Sequence, residues 1–146
     1  MRKRIGVIVA LAAAFAGQAK AADQFDWTCG PPDVLDAYTS ERGTVRLNNF
    51  LLTEHNSETY KGFRAITFSF SVVNRSDRPF QAAGQVIAFG KDDTPLFAIS
   101  NPAWSGLYKG AAPQQTSVTG AGAYVKPGDL GRAAKICFRV IGGLQE

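Results

Sequence analysis

Histidine occurs once in this chain, cysteine twice, and methionine only at position 1. A zinc site needs several thiolates or imidazoles at ligand spacing, whereas His55 stands alone in "TEHNSE" and no CxxC or HxxxH occurs. A thioether copper site needs a methionine beyond the first residue and has none. No phosphate-binding loop, nucleophile elbow or zinc-protease motif is present. Heptads, internal repeats and low-complexity tracts are missing too. So is any apolar run after residue 21 approaching the roughly 18 to 20 residues that cross a bilayer. The reading is therefore of a protein without cofactor, metal, membrane span or enzymatic activity.

What is present begins with "MRKRIGVIVALAAAFAGQAKA". Arg2, Lys3 and Arg4 precede an apolar run from Ile5 to Ala16, and Ala19, Lys20 and Ala21 form a small-x-small site. That is the pattern of a secretory signal peptide over residues 1–21. It also removes the charge argument. Of the 16 Lys and Arg, four lie in this leader, leaving 12 against 12 Asp and Glu. The sequence pI of about 9.3 thus describes the export signal rather than a nucleic-acid or anionic-lipid reader. Seven acids lie between Asp23 and Glu58 while Arg132, Lys135 and Arg139 crowd the end, which gives no basic stripe for nucleic acid. The processed chain is expected to be periplasmic or secreted.

From Phe63, "FRAITFSFSVVN" alternates Ile66, Phe68, Phe70 and Val72 with Thr67, Ser69 and Ser71, the period of a strand with one wet face. "NRSDRP" is a turn, since Asn74, Ser76 and Asp77 can bond their own backbone and Pro79 fixes the exit. A second strand follows over 80–90, where Gly84 suits a bend or bulge. "KDDT" turns into a third strand, "PLFAIS". "NPAWSGLYKGAAPQQ" reads as a long loop, "TSVTGAGAYV" as one or two strands in which Gly120 and Gly122 permit a bend, and "KPGD" as another turn. In the last strand, "AAKICFRVIG", Ile136, Phe138 and Val140 share one face and Lys135, Cys137 and Arg139 the other.

Upstream, "TVRLNNFLL" reads as the first strand, alternating Val45, Leu47, Asn49 and Leu51. Before it, "PPDVLDAYTSERG" has the marks of a short helix: Pro32 in the first turn, Asp33 and Asp36 at the positive end, Gly43 as a stop, and Val34, Leu35 and Tyr38 as an apolar stripe. Turn signals about every 8 to 12 residues give an all-β class, an antiparallel immunoglobulin-like β-sandwich of about 6 to 7 strands with a short N-terminal helix. A small barrel is the alternative. The organisation is signal peptide 1–21, a tethered N-terminal segment 22–43 and a sandwich domain 44–146.

The run "FSFSVVNRSDRPFQAAGQVIAFGKDDTPLF", with "VKPGDLGRAAKICFRV" after it, resembles bacterial immunoglobulin-like or fibronectin-like envelope domains. Asn74 and Ser76 match the Asn-x-Ser that closes one strand, Asp92 and Asp93 the acidic turn, and Pro127 and Gly128 the turn before the last strands. The resemblance covers about half the processed chain and implies a fold more than a function. Antibody-type domains differ, because here the two cysteines lie far apart and no tryptophan occupies the expected core strand between them.

Cys29, in "QFDWTCGPPDV", has four readings. A lipid anchor wants small or aliphatic residues directly before the cysteine, where this chain has "DWT". A metal site lacks ligands, and a nucleophile would need His55 as its base, a residue that reads more simply as a solvated loop histidine. The favoured reading is a disulfide with Cys137 in an oxidising compartment, closing a loop of about a hundred residues. With Ile136, Phe138 and Val140 in the core, Cys137 faces outward, so Cys29 is expected over the outside of the last strand. The bridge would then pin the N-terminal helix against the sheet, covering a strand face or edge, with Trp27 packed against the clamp.

The acids read as turn and helix-start chemistry. The candidate binding loop is "NPAWSGLYKG", whose Trp104 and Tyr108 would either anchor a protein or sugar, or plug the open end of the sandwich. The function expected is a non-enzymatic interaction or accessory module with a protein partner in the cell envelope. The alternative is a glycan-binding domain or secreted enzyme inhibitor using these aromatics.

Overall fold

A computed structural model describes residues 23–24, 26–100 and 110–145 of the chain. Segment 1–21, Trp104 and Tyr108 lie outside them. Among the described residues nine strands fall into two antiparallel sheets that enclose one apolar core. The clamp sheet contains β1 (Asp23–Gln24), β2 (Thr28–Gly30), β6 (Phe80–Phe89), β7 (Pro95–Ser100) and β9 (Lys135–Leu144). In it β9 lies between β6 on one side and β1 and β2 on the other, and β7 closes the far edge. The hairpin sheet runs β3 (Ser40–Arg42), β4 (Val45–Asn56), β5 (Arg64–Asn74) and β8 (Thr116–Val125). One helical turn, α1 (Asp129–Arg132), links β8 to β9. Among the described residues no helix is long and apolar enough to cross a membrane.

The alternating strands fold as their pattern dictates. Ile66, Phe68, Phe70 and Val72 of β5 and Ile136, Phe138 and Val140 of β9 are buried, and of the residues between them all but Ser71 are partly exposed. β8 is one continuous strand through Gly120 and Gly122. Gly84 makes no bulge, because β6 stays in register with β9 through Gly84 and Val140. Its role is close approach: a Cβ there would stand 2.7 Å from the Phe68 ring, so the ring packs directly on the strand backbone. The irregularity of β6 lies instead against β7, between Ala88 and Phe89.

β4 departs from simple alternation. Val45 and Leu47 face the core, but Asn49 adopts a left-handed φ of 51° and the β4–β5 register shifts between Asn48 and Leu51. The extra residue inverts the phase, turning Phe50 inward and leaving Leu51 on the surface. Phe50 then becomes the hub of the core, stacked on Phe70 at 5.3 Å and tilted on Phe138 at 5.3 Å. Each such ring pair adds about 1 kcal/mol beyond its area burial.

The N-terminal segment differs from the expected helix over 31–43. It makes a single 3-10 turn, Pro32–Leu35, and then enters β3. Its apolar residues still serve as anchors: Leu35 is buried, and Tyr38 meets Phe50 and Phe138 edge-on at 5.2 and 4.9 Å. The turns follow their chemistry. At Pro127-Gly128 the glycine takes φ 82°, the left-handed angle of a type II turn, and the Asp129 carboxylate accepts from the Lys126 N–H at 3.1 Å.

Candidate functional site

The most organised surface is the outer face of the clamp sheet, built across four strands by register alone. Cys29 stands opposite Cys137, which stands opposite Ile87, which stands opposite Ala98. The two cysteines form a disulfide with Cα atoms 4.1 Å apart and a sequence separation of 108. The pairing and the outward aspect of Cys137 are as the sequence implies. Cys29, however, does not lie over the outer surface of β9. It sits beside β9, in a three-residue edge strand, so the bridge covers an edge.

One row further along runs a connected polar ribbon. The Arg139 guanidinium lies 4.7 Å from the centroid of the Trp27 ring, and its Nε donates to Gln85 Oε1 at 2.6 Å. Gln85 Nε2 donates to Ser100 Oγ at 3.0 Å. Trp27, 41% exposed, packs against Arg139 next to the disulfide. On the other flank, Lys135 sits 4.8 Å from the Phe89 ring centroid and pairs with Asp93 of the β6–β7 turn. Asp92, in the same turn, is held below its ordinary carboxyl range, first by the Thr94 hydroxyl and then by the Thr94 N–H. An apolar strip is thus bordered by two fixed cationic groups, each seated on an aromatic ring. Such a face suits recognition: stacking fixes the guanidinium, and its terminal N–H groups are geometrically matched to a carboxylate.

The remaining candidate residues are dispersed. Trp104 and Tyr108 lie outside the described residues. His55 belongs to β4 rather than to a loop, and is exposed on the outer face of the hairpin sheet. Among the described residues no three of His, Cys, Asp and Glu converge as metal ligands would. Asp33 lies in the 3-10 turn and Asp36 caps it.

The sequence reading did not join Trp27, Arg139, Gln85 and Ser100. A signal existed for the first pair: with Cys29 opposite Cys137 in an antiparallel ladder, two residues upstream on one strand lie beside two residues downstream on the other. Gln85 carried no signal toward Arg139, because β6 and β9 are 54 positions apart there; Ser100 reaches Gln85 through the β6–β7 hairpin, 15 positions away.

No protein-family profile matches the sequence, and no curated protein does. Among solved structures, a chain in the structure of infectious bursal disease virus Gx strain aligns over 86% of this chain at 9% identity, with a TM-score of 0.39. This chain spans about a quarter of that one, 27% of its length. The putative ApaA protein from Bordetella pertussis aligns over 71% of this chain and 70% of its own, at 12% identity and a TM-score of 0.32. Neither likeness is close enough to bear on fold or function.

Proposed function

We propose that this chain is an exported, non-enzymatic module of immunoglobulin-like topology, periplasmic or secreted once residues 1–21 are removed, that binds another protein of the bacterial cell envelope. The observation that carries the reading is the ribbon Trp27–Arg139–Gln85–Ser100 beside the disulfide. Tryptophan and arginine are the residue types that dominate binding energy at protein interfaces, and here both are immobilised before any partner arrives. The disulfide and the leader pattern support export. The partner's matching feature is a carboxylate flanked by apolar groups, seated over Arg139 and Ile87. The alternative, glycan or enzyme-cleft recognition through Trp104 and Tyr108, rests on two residues outside the described part of the chain and gains no support from it.

The test is gentle crosslinking in the native envelope followed by identification of what is attached. Wild-type protein should carry one reproducible protein partner, and Arg139→Ala should lose it while keeping the wild-type melting temperature. Recovery of uncrosslinked monomer alone, or of the same partner with Arg139→Ala and Trp27→Ala, would remove this reading.

A further inference from the structure

The opposite face of the molecule carries a second arrangement. Across the hairpin sheet, Thr53, Thr67 and Gly122 stand in one cross-strand row, and His55, Ala65 and Tyr124 in the next. Alternation turns all six outward: Ile66, Phe68, Ala121 and Val125 between them are buried, whereas Thr53, His55, Gly122 and Tyr124 are exposed. Side-chain size then shapes the surface. Tyr124 rises at one border and His55 at the other, two strand spacings or about 10 Å apart, over the low floor of Ala65. Along β8, the residue beside Tyr124 on this face is Gly122, so one flank of the phenol ring has no side chain against it.

The ring itself is fixed. Tyr60, from the β4–β5 turn, meets Tyr124 edge-on with centroids 4.7 Å apart and planes at 82°. The turn is held in its own right, since the Tyr60 N–H donates to Ser57 Oγ at 2.9 Å. Tyr124 nevertheless stays 51% exposed. A half-wet aromatic ring, braced from one side and open on the other, is a stacking platform.

The chemistry of the floor selects what stacks. Neither row contains Asp, Glu, Lys or Arg. Within these rows an anionic ligand meets no Lys or Arg, the nearest along β8 being Lys126 just past its end. An apolar side chain in these rows would meet the Thr53 and Thr67 hydroxyls, since the exposed apolar residues of this face, Leu51 and Val118, lie in other rows. A sugar ring satisfies both demands: its C–H face lies on an aromatic ring, and its hydroxyls exchange hydrogen bonds with threonine hydroxyls and an imidazole. The next row, Leu51, Ser69 and Gly120, is again uncharged and again ends in glycine on β8, so no side chain closes the hollow along that strand. We propose that the notch between His55 and Tyr124 binds an internal unit of a neutral hexopyranose polysaccharide, with Tyr124 as the stacking ring and Thr53 and Thr67 as hydrogen-bonding partners. The site lies on the sheet opposite the proposed protein-binding face and stands or falls separately from it.

The experiment is a titration of the processed, isotope-labelled protein with hexasaccharides of glucose, N-acetylglucosamine and mannose, followed by amide NMR, with free glucose as the single-ring arm. At least one hexasaccharide should shift the amides of Thr53, Thr67 and Tyr124, and should bind more tightly than glucose. Tyr124→Ala should weaken that binding roughly tenfold, the loss of one stacking contact. Thr53→Val, an exposed and strand-compatible change, should weaken it several-fold and serves as the test should Tyr124→Ala fail to fold. The proposal is overturned if no hexasaccharide moves these amides at millimolar concentration, if glucose binds as well as the hexamers, or if binding survives both substitutions.

Discussion

The side-chain oxygen of Asn74 accepts two hydrogen bonds from Ser76, from its N–H at 3.0 Å and from its hydroxyl at 2.6 Å. The Asn74 amide nitrogen meanwhile donates to the carbonyls of Arg78, Ala111 and Ala112 at 2.7, 3.0 and 3.2 Å. One buried carboxamide therefore ties the β5–β6 crossing to the segment that leads into β8. Asn74→Ala would strand the buried Ser76 N–H, while the three carbonyls keep their other donors, Phe80 N–H, Gln115 N–H and the Ser76 hydroxyl. We expect a loss of about 1 to 3 kcal/mol in urea unfolding, the cost of one unsatisfied group. An unchanged midpoint would show that water replaces the amide.

Loss of the disulfide should be felt in the unfolded chain. The loop closed by Cys29 and Cys137 spans 108 positions, for which chain entropy gives about 4 to 5 kcal/mol. The double variant Cys29→Ser, Cys137→Ser should unfold at lower urea by an amount of that order, and dithiothreitol should lower the wild type to match. Hydrogen exchange should quicken first in β2, which has three residues and little else to hold it. Leu35 and Tyr38 stay packed and keep the rest of the segment in place.

The bulge at Asn49 is open to a backbone test. Its φ of 51° suits asparagine or glycine and excludes β-branched residues. Asn49→Val should destabilise by about 1 to 3 kcal/mol. Asn49→Gly should stay near wild type, losing only the 3.3 Å bond to Ser71 Oγ. Equal stability of the two variants in thermal unfolding would mean that β4 can realign without its extra residue.

Asp92 gives a pH dependence of known sign. Hydrogen bonds from the Thr94 hydroxyl and N–H depress its carboxyl in the folded state relative to the unfolded one. Its contribution to stability is therefore complete above the unfolded value and lost as pH falls through the folded value. Carbon-detected NMR should place the Asp92 midpoint below that of an unfolded-chain aspartate, and Thr94→Val should raise it. A midpoint insensitive to Thr94→Val would assign the depression to another cause.

How far the sequence disclosed this protein varied with the distance over which each element is decided. β5 and β9 are decided within themselves: Ile66 to Val72 and Ile136 to Val140 alternate, and the facing of each side chain follows, the outward Cys137 included. β4 was legible only to Leu47, because the inversion at Asn49 depends on a backbone angle that no spacing announces. β2 has no period at all in "TCG", and becomes a strand because β9 offers it an edge. The Arg139–Gln85 join and the notch beside Tyr124 are set by cross-strand register: Arg139 lies 54 positions from Gln85 and His55 lies 69 from Tyr124, so neither leaves a local trace.

β9 is the last of the described strands and stands inside its sheet, with β6 on one side and β1 and β2 on the other. A chain made from its N-terminus onward therefore holds Cys29 and both flanking strands long before the strand that joins them exists. Completion of the clamp sheet therefore waits for Lys135–Leu144. Until then Cys29 is a thiol without its mate, and the strands on either side of β9 lack the one that joins them.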